Sequence, residues 1–329
     1  MRLHRAAIVA ACTVLAATFA CAKENAVRPI VIESPPPPPD AKPPEHAKEE
    51  IVDAASRNLT APAGMTMILD SAVLRALPRG LAFGPVIAAL PVWRELLRGR
   101  LDPVRDADLV WVRGPSLVHT EHAMIVVRAN VTEGVLDGAV TAASKGYARG
   151  GAFDAGIAGT PAFRAYAEGA ERVIVRPPGK WMTIAAPADI DAAAHAHERA
   201  AVVNGDVYHV TLDDPTKLIR LPGLAWNADV TRVDFGVRAR ADGGADMTVV
   251  GACVDEAAAE AATAAANDAI TTTWNTMGVR LITRNILANV AAVQEGSGFR
   301  VAIPASADQV QAILALLQAM LGLPSGGGP

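Results

Sequence analysis

The stretch from Val230 to Asp268 predicts a strand, a tight turn, a second strand and a helix. Apolar and polar side chains alternate from Val233 to Ala239, as in a strand with one buried face. Asp242-Gly243-Gly244 follows, and these residues tolerate the positive φ angles of a hairpin turn. The alternation resumes from Met247 to Cys253, and Asp255 is a good N-cap for the alanine-rich helix after it. A hairpin next to a helix is typical of an α+β layer.

The same order of elements occurs earlier in the chain. Residues 251–256 align with residues 128–133 at the step from strand to helix, and residues 301–303 align with residues 182–184. Each half then reads strand, helix, strand, strand, helix, strand, strand, helix. We therefore predict an α+β fold of two tandem repeats, each a mostly antiparallel sheet with helices on one face. The two sheets are expected to join edge to edge or to pack face to face.

The expected boundaries follow from this pattern. The first repeat covers residues 61–203, the second covers residues 204–323, and a flexible tail covers residues 324–329. Within the first repeat, Phe83 to Arg98 predicts a helix that an internal proline kinks or splits. Gly146 to Gly169 predicts a glycine-rich loop.

The N-terminus predicts export. A basic start precedes the apolar run Ala6 to Ala20, which is too short to span a bilayer comfortably, so residues 1–22 are expected to be a signal peptide. Thr18-Phe19-Ala20 before Cys21 resembles a bacterial lipobox, with Thr18 where leucine is usual. In this interpretation Cys21 becomes the lipidated first residue. The same region also fits an ordinary cleavage site that releases an unlipidated protein. We expect lipidation and an anchor in the membrane.

A proline-rich linker is predicted after the signal peptide, over residues 23–60. It contains Pro35 to Pro39 in a row among charged residues. Such a segment cannot bury enough apolar surface to fold and favours extended polyproline II. We expect a disordered spacer that holds the folded part away from a membrane.

Composition narrows the range of partners. Lysine and arginine number 30 against 34 acidic residues, and no basic block is present, so no nucleic-acid partner is expected. Aromatic residues are only 4% of a chain that is 51% hydrophobic. Alanine supplies much of that fraction, which predicts thin helices packed closely on a sheet.

The candidate metal ligands are His119 and His122. They flank Thr120-Glu121 on an expected loop, but a zinc site needs further ligands at fixed geometry, and no second cluster completes the set. No metal is therefore expected. His195 and His197 lie two residues apart on a predicted helix, so they point to different faces and are interpreted as surface histidines.

No catalytic residue can be assigned from the motifs. Cys253 ends a predicted strand with no histidine or basic residue close in sequence, so it is interpreted as a small buried apolar residue. The chain has no Gly-x-Ser-x-Gly elbow and no phosphate-loop lysine. We therefore expect a protein that is not an enzyme and carries no cofactor.

Two motifs carry a resemblance to a group of bacterial proteins. These are Trp93-Arg94-Glu95-Leu96-Leu97 and Asp102-Pro103-Val104-Arg105-Asp106. With them, residues 61–321 resemble the exported, alanine-rich lipoproteins of the myxobacterial type, which have a duplicated α+β domain and no assigned activity. The resemblance implies an exported location and a duplicated fold, and it implies no catalytic residue.

Two functions from different classes remain. The first is a non-enzymatic cell-envelope protein, at the outer membrane or in the periplasm, held by the lipid on Cys21 and binding an envelope partner. The alternative is a periplasmic carrier that shelters an apolar or lipid ligand between sheet and helices, where small side chains leave room. A filled core with an exposed patch favours the first function, and a deep apolar cavity favours the second.

Overall fold

A computed structural model of the protein describes residues 64–89, 93–97, 99–115, 122–167, 169–201, 205–215, 229–274, 277–282, 284–321 and 323. The predicted signal peptide, Cys21, the linker, the C-terminal tail and His119 lie outside these residues. Within them, no helix has the length and apolar character needed to cross a lipid bilayer.

Among the residues described, 12 strands form one continuous antiparallel sheet, which is the framework of the fold. The strands are β1 (Met65–Asp70), β2 (Ala107–Gly114), β3 (Met124–Ala129), β4 (Gly151–Phe153), β5 (Ala162–Ala167), β6 (Ala170–Val175), β7 (Trp181–Ala185), β8 (Tyr208–Asp213), β9 (Val230–Ala239), β10 (Ala245–Cys253), β11 (Ala292–Glu295) and β12 (Gly298–Ala305). Their order in space is β11-β12-β10-β9-β8-β1-β2-β3-β7-β6-β5-β4. The first half, β1 to β7, therefore joins the second half, β8 to β12, edge to edge through the β1–β8 pair.

Helices alternate with the strands along the chain. They are α1 (Ser71–Ala76), α2 (Gly84–Ile87), α3 (Glu133–Lys145), α4 (Ile190–His195), α5 (Glu256–Asp268), α6 (Met277–Ile282) and α7 (Ala307–Met320). Shorter helical turns span Gly80–Phe83, Trp93–Leu97, Pro187–Asp189, Ala196–Glu198 and Ala269–Trp274. The predicted cap of α5 is confirmed, because Asp255 Oδ1 accepts a hydrogen bond from the Ala258 amide at 2.8 Å. The α+β class and the antiparallel sheet are confirmed as well.

One side of the sheet, the core face, carries the cross-strand row Met67, Val210, Phe235, Val249 and Val301. In the first half, α1 and α3 pack on this face and bury residues such as Leu74, Leu136 and Val140. In the second half, α5 and α7 do the same with Ala259, Ala262, Leu314 and Leu317. Phe83 and Phe235 contact both apolar clusters, so the core is continuous across the junction.

The opposite side, the outer face, carries the cross-strand row Thr66, Thr211, Asp234, Val250 and Arg300. Helix α4 packs on the outer face of the first half, where Ala193 and Ala194 contact Val173, Val175 and Ala185. The prediction that all helices share one face is therefore wrong for α4. Strands β6 and β7, on which α4 packs, are buried on both faces. Burial of both faces requires a covering layer on each side of the sheet.

One further sequence prediction differs from the structure, and a second, the split of a helix at an internal proline, agrees with it. The segment from Gly146 to Gly169 is more than a loop, because β4 and β5 form there and pair as a hairpin at the sheet edge. Alanine and glycine have low strand propensity, so pairing with β6 rather than local preference places β5. The helix expected over Phe83–Arg98 consists of α2 and the turn at Trp93–Leu97, with residues 90–92 outside the described chain.

Candidate functional site

The distance between the candidate metal ligands His119 and His122 is not defined by the described residues. His122 is exposed, whereas His119 lies outside the described residues, so this pair stays a prediction. Among the residues that the structure describes, no group of three or more histidine, cysteine, aspartate or glutamate side chains is placed to hold a metal ion.

His195 and His197 differ in environment. The side chain of His195 is 71% exposed, and its Nδ1 lies 3.2 Å from Glu198 Oε1. The ring of His197 lies 5.7 Å from that of Trp181, and its buried Nδ1 has no hydrogen-bond partner in the described structure. The interpretation as surface histidines therefore holds for His195 and is wrong for His197, which is half-buried in the turn after α4 and packs against Trp181.

Cys253 is buried in the apolar cluster under α5, as predicted. Burial raises the pKa of its thiol, and the nearby carboxylates of Asp229 and Asp255 raise that pKa further. A thiol that resists ionisation is a poor nucleophile. Its surroundings favour a packing role.

The densest polar group on the outer face is the His209 network, formed by Asp206, His209, Thr211, Arg232 and Asp234. His209 Nδ1 lies 3.0 Å from Asp206 Oδ2, and its Nε2 lies 3.4 Å from Asp234 Oδ1. Thr211 donates a hydrogen bond to Asp234 Oδ1 at 2.6 Å. Arg232 donates two hydrogen bonds to the same carboxylate, from Nε at 2.8 Å and from Nη2 at 2.9 Å. The network ties β8 to β9 close to the junction of the two halves.

The charges of the network stabilise one another. The hydrogen bond to Asp234 raises the pKa of His209; burial opposes this, and Asp206 adds to the rise. Burial alone would raise the pKa of Asp234, but hydrogen bonds from His209, Arg232 and Thr211 outweigh it and lower that pKa. The imidazolium and the carboxylate are therefore the favoured forms.

This arrangement can be compared with a nucleophilic site. Thr211 Oγ1 lies 3.5 Å from His209 Nε2, and Asp206 lies on the other side of the ring, which gives the order hydroxyl, imidazole, carboxylate. A general base must accept a proton, however, and both ring nitrogens face carboxylates that favour the protonated ring. The Thr211 hydroxyl is also directed to Asp234. The geometry favours a fixed charge network over nucleophilic catalysis.

Gly236 makes room for the network. It lies directly across from His209 in the β8–β9 register. A Cβ atom at this position would lie 2.6 Å from Asp206 Oδ2 and 3.5 Å from His209 Nδ1. The absence of a side chain at Gly236 is therefore a condition for the Asp206–His209 contact.

Half-exposed arginines lie within the network and beside it on the outer face of the second half. The side chains of Arg232, Arg238 and Arg300 are 52%, 62% and 45% exposed. Arg238 lies 3.6 Å from Asp206, and Arg300 lies 2.9 Å from Glu295, so cations and carboxylates alternate along the face. Among the described residues, no helix packs against this surface.

Sequence reasoning did not single out the His209 network. Its local signal is Asp206 three residues before His209, with polar residues at alternate positions of β8. Asp234 is distant in sequence, and it meets His209 only through the β8–β9 register. A pattern within one strand cannot encode that register.

Comparisons with known proteins give little support to any one family. No protein-family model matches the chain, and no curated protein matches it. A solved structure described as "Structure of crystal form I of TP0453" is similar at 9% sequence identity and a TM-score of 0.43, covering 77% of this chain and 94% of that one. A likeness at this level carries no argument about function.

Proposed function

We propose that this protein is an exported, lipid-anchored component of the cell envelope that binds a protein partner through the outer face of its second half. The observation that carries the proposal is the outer face itself, with Arg232, Arg238 and Arg300 half exposed on β9 and β12, the two strands that flank β10. Arginine is enriched at protein interfaces, and a rigid strand ladder loses little entropy on binding. Alternating charges favour a partner with a complementary pattern.

Site-specific photo-crosslinking in the producing cell tests the binding face. A benzoylphenylalanine at Ala302, which is exposed on the outer face, is expected to give an adduct of one discrete mass. The same group at Glu260, exposed on α5, serves as the control and should not give that adduct. Arg238→Glu should abolish the adduct, and circular dichroism should show that the variant remains folded although its ion pair with Asp206 is lost. Equal adducts from both positions, or an adduct that survives Arg238→Glu, would contradict the proposal.

The anchor is tested separately. Cys21→Ser is expected to abolish lipid labelling and membrane retention, because at a lipobox the lipid is first joined to the cysteine thiol. Unchanged fractionation, with no label on either form, would remove the lipid anchor and leave the binding face untouched.

The carrier function remains the alternative, and it makes a different prediction. A carrier would keep an apolar molecule between the core face and its helices during purification. Native mass spectrometry of the purified protein distinguishes the two functions, since a bound lipid of defined mass supports the carrier and a ligand-free mass supports the partner-binding protein.

We also propose that the fold consists of two tandem repeats of one α+β unit. It is supported by the strand orders β1-β2-β3-β7-β6 and β8-β9-β10-β12-β11, which have the same sequence of steps. Helices α3 and α5 follow the third strand of each series, behind the caps Thr132 and Asp255. The hairpin β4–β5 and the position of α4 depart from the repeat. An experimental structure with a different strand order in either half would contradict it.

A further inference from the structure

Aromatic rings and guanidinium groups gather at the β4 end of the sheet. The tyrosine–arginine cluster consists of Tyr147, Arg149, Phe153, Arg164, Tyr166 and Glu171. The rings of Tyr147 and Tyr166 stack with centroids 5.2 Å apart and an interplanar angle of 25°. The whole chain has only 3 tyrosines, so two of them meet at one surface position.

Both arginines of the cluster lie over aromatic rings. The guanidinium carbon of Arg149 is 5.7 Å from the centroid of Tyr147, and its Nε and Nη2 donate to the Tyr147 hydroxyl at 3.1 and 2.9 Å. Arg164 is 4.7 Å from the centroid of Phe153, and its Nη1 lies 3.6 Å from Glu171 Oε1. Two guanidinium groups beside one carboxylate leave the cluster with a net positive charge.

Backbone hydrogen bonds fix the turn that carries Tyr147 of the tyrosine–arginine cluster. The amide of Tyr147 donates to the Ser144 carbonyl at 3.3 Å, and the Gly150 amide donates to the Tyr147 carbonyl at 2.8 Å. A Cβ atom on Gly150 would lie 1.8 Å from the Ser144 carbonyl oxygen, so only glycine closes this turn. Tyr166 is fixed on β5 directly opposite Glu171. A preorganised surface loses little entropy when a ligand binds.

The rings and charges are also open to solvent. Tyr166 is 47% exposed, and the side chains of Arg164 and Glu171 are 46% and 27% exposed. Contacts between arginine and aromatic rings stabilise a surface by about 0.5–1 kcal/mol by themselves. That contribution does not require the Tyr166 ring to remain half exposed beside two guanidinium groups and a carboxylate.

We propose that the tyrosine–arginine cluster binds an acidic saccharide. The apolar C–H face of a sugar ring can pack on the exposed Tyr166 ring, since tyrosine combines an apolar body with a polar tip. Arg149 and Arg164 can donate to the carboxylate of the sugar and to its hydroxyls, and Glu171 can accept from hydroxyls. Single-stranded nucleic acid also stacks on aromatic rings, but oligothymidylate has no free hydroxyls along its backbone to donate to Glu171, whereas each sugar of an acidic saccharide has them. This site lies apart from the proposed protein-binding face.

Titration calorimetry on the purified chain tests the site with three probes of equal length. They are an oligogalacturonate, a neutral cello-oligosaccharide and oligothymidylate. The oligogalacturonate is expected to bind most tightly. Tyr166→Ala should weaken it by about tenfold, the scale of one lost aromatic contact, whereas Tyr166→Phe keeps the ring and should retain affinity. Arg164→Gln should remove the preference for the acidic over the neutral sugar.

Three results would overturn the proposal. One is the absence of binding to the oligogalacturonate, and another is equal affinity of the chain and the Tyr166→Ala variant. The third is tighter binding of oligothymidylate than of either saccharide. Circular dichroism and the thermal midpoint of each variant show that folding is preserved, and Tyr166→Phe provides a folded comparison if Tyr166→Ala loses structure.

Discussion

The imidazole of His209 lies between the carboxylates of Asp206 and Asp234 on the outer face. Because its pKa is raised in the folded protein, this histidine contributes stability that is fully present below its unfolded pKa of about 6.5. The contribution is lost as the pH rises through the folded pKa. Asp234 behaves in the opposite sense, since its lowered pKa contributes stability that is lost only as the pH falls below about 4. The pH range in which His209 loses its contribution therefore does not overlap with the range in which Asp234 loses its own.

We expect urea unfolding to show a loss of stability, of the order of 1 kcal/mol, as the pH rises above about 6.5, because the folded pKa of His209 lies above its unfolded value. His209→Gln should flatten this part of the profile, because no proton is released from the replaced ring. His195→Gln exchanges a histidine with a 71% exposed side chain and is the control for the loss of any histidine. A profile for His209→Gln that parallels the unmodified protein would contradict the role given to the network.

Gly236 gives a second prediction at the residue scale. Gly236→Ala places a Cβ atom 2.6 Å from Asp206 Oδ2, so either the loop before β8 or strand β9 must shift. We expect a loss of about 1–3 kcal/mol in the free energy of unfolding and a weaker pH dependence. Gly138→Ala is the matched comparison, because nothing lies within 4 Å of a Cβ atom there. On the exposed face of α3 it should stabilise by about 0.5–1 kcal/mol, and a similar loss in both variants would rule out the steric explanation.

At the scale of elements, Asn267 joins helix α5 to the edge strand β11. Its Oδ1 accepts from the Ala292 amide at 2.8 Å, and its Nδ2 donates to the Ala292 carbonyl at 3.0 Å. The amide side chain thus occupies backbone groups that a further strand would otherwise pair with. Asn267→Ala should cost about 1–3 kcal/mol and speed hydrogen exchange in β11. Val293→Thr, at a side chain of the same strand that is 58% exposed, should change stability by less than about 0.5 kcal/mol, and an equal effect would contradict the prediction.

The caps and turns could be predicted from the sequence because they depend on neighbouring residues. Asp255 caps α5, and Gly243 closes the β9–β10 turn with a φ of 84°. The side of the sheet on which a helix packs depends on strands that are distant in sequence. For α4 the sequence prediction of that side is wrong. The signal for α4 was nevertheless present, since Val173-Ile174-Val175 in β6 is a continuous apolar run. In β12, by contrast, burial alternates from Phe299 to Ala305, with Arg300, Ala302 and Pro304 exposed on the outer face.

For the whole molecule, the sheet passes from one half to the other without a break. Strand β1 pairs with β2 in the first half and with β8 in the second. Phe83 and Phe235 contact the apolar clusters of both halves. A shared sheet and shared side chains couple the two halves, so the tandem repeat that the sequence predicts does not imply two units that unfold separately.

Leucine truncations in the two clusters test this coupling. Leu136→Ala in α3 and Leu317→Ala in α7 remove side chains that are 0% and 1% exposed, and each should cost about 2–5 kcal/mol. If the sheet unfolds as one unit, either variant accelerates exchange of the slowest amides in both β3 and β10, because those amides exchange only through global unfolding. Val254→Ala, at a side chain that is 60% exposed, should leave both strands unchanged. Faster exchange confined to the half that carries the substitution would show that the β1–β8 junction opens first and that each half is stable without the other.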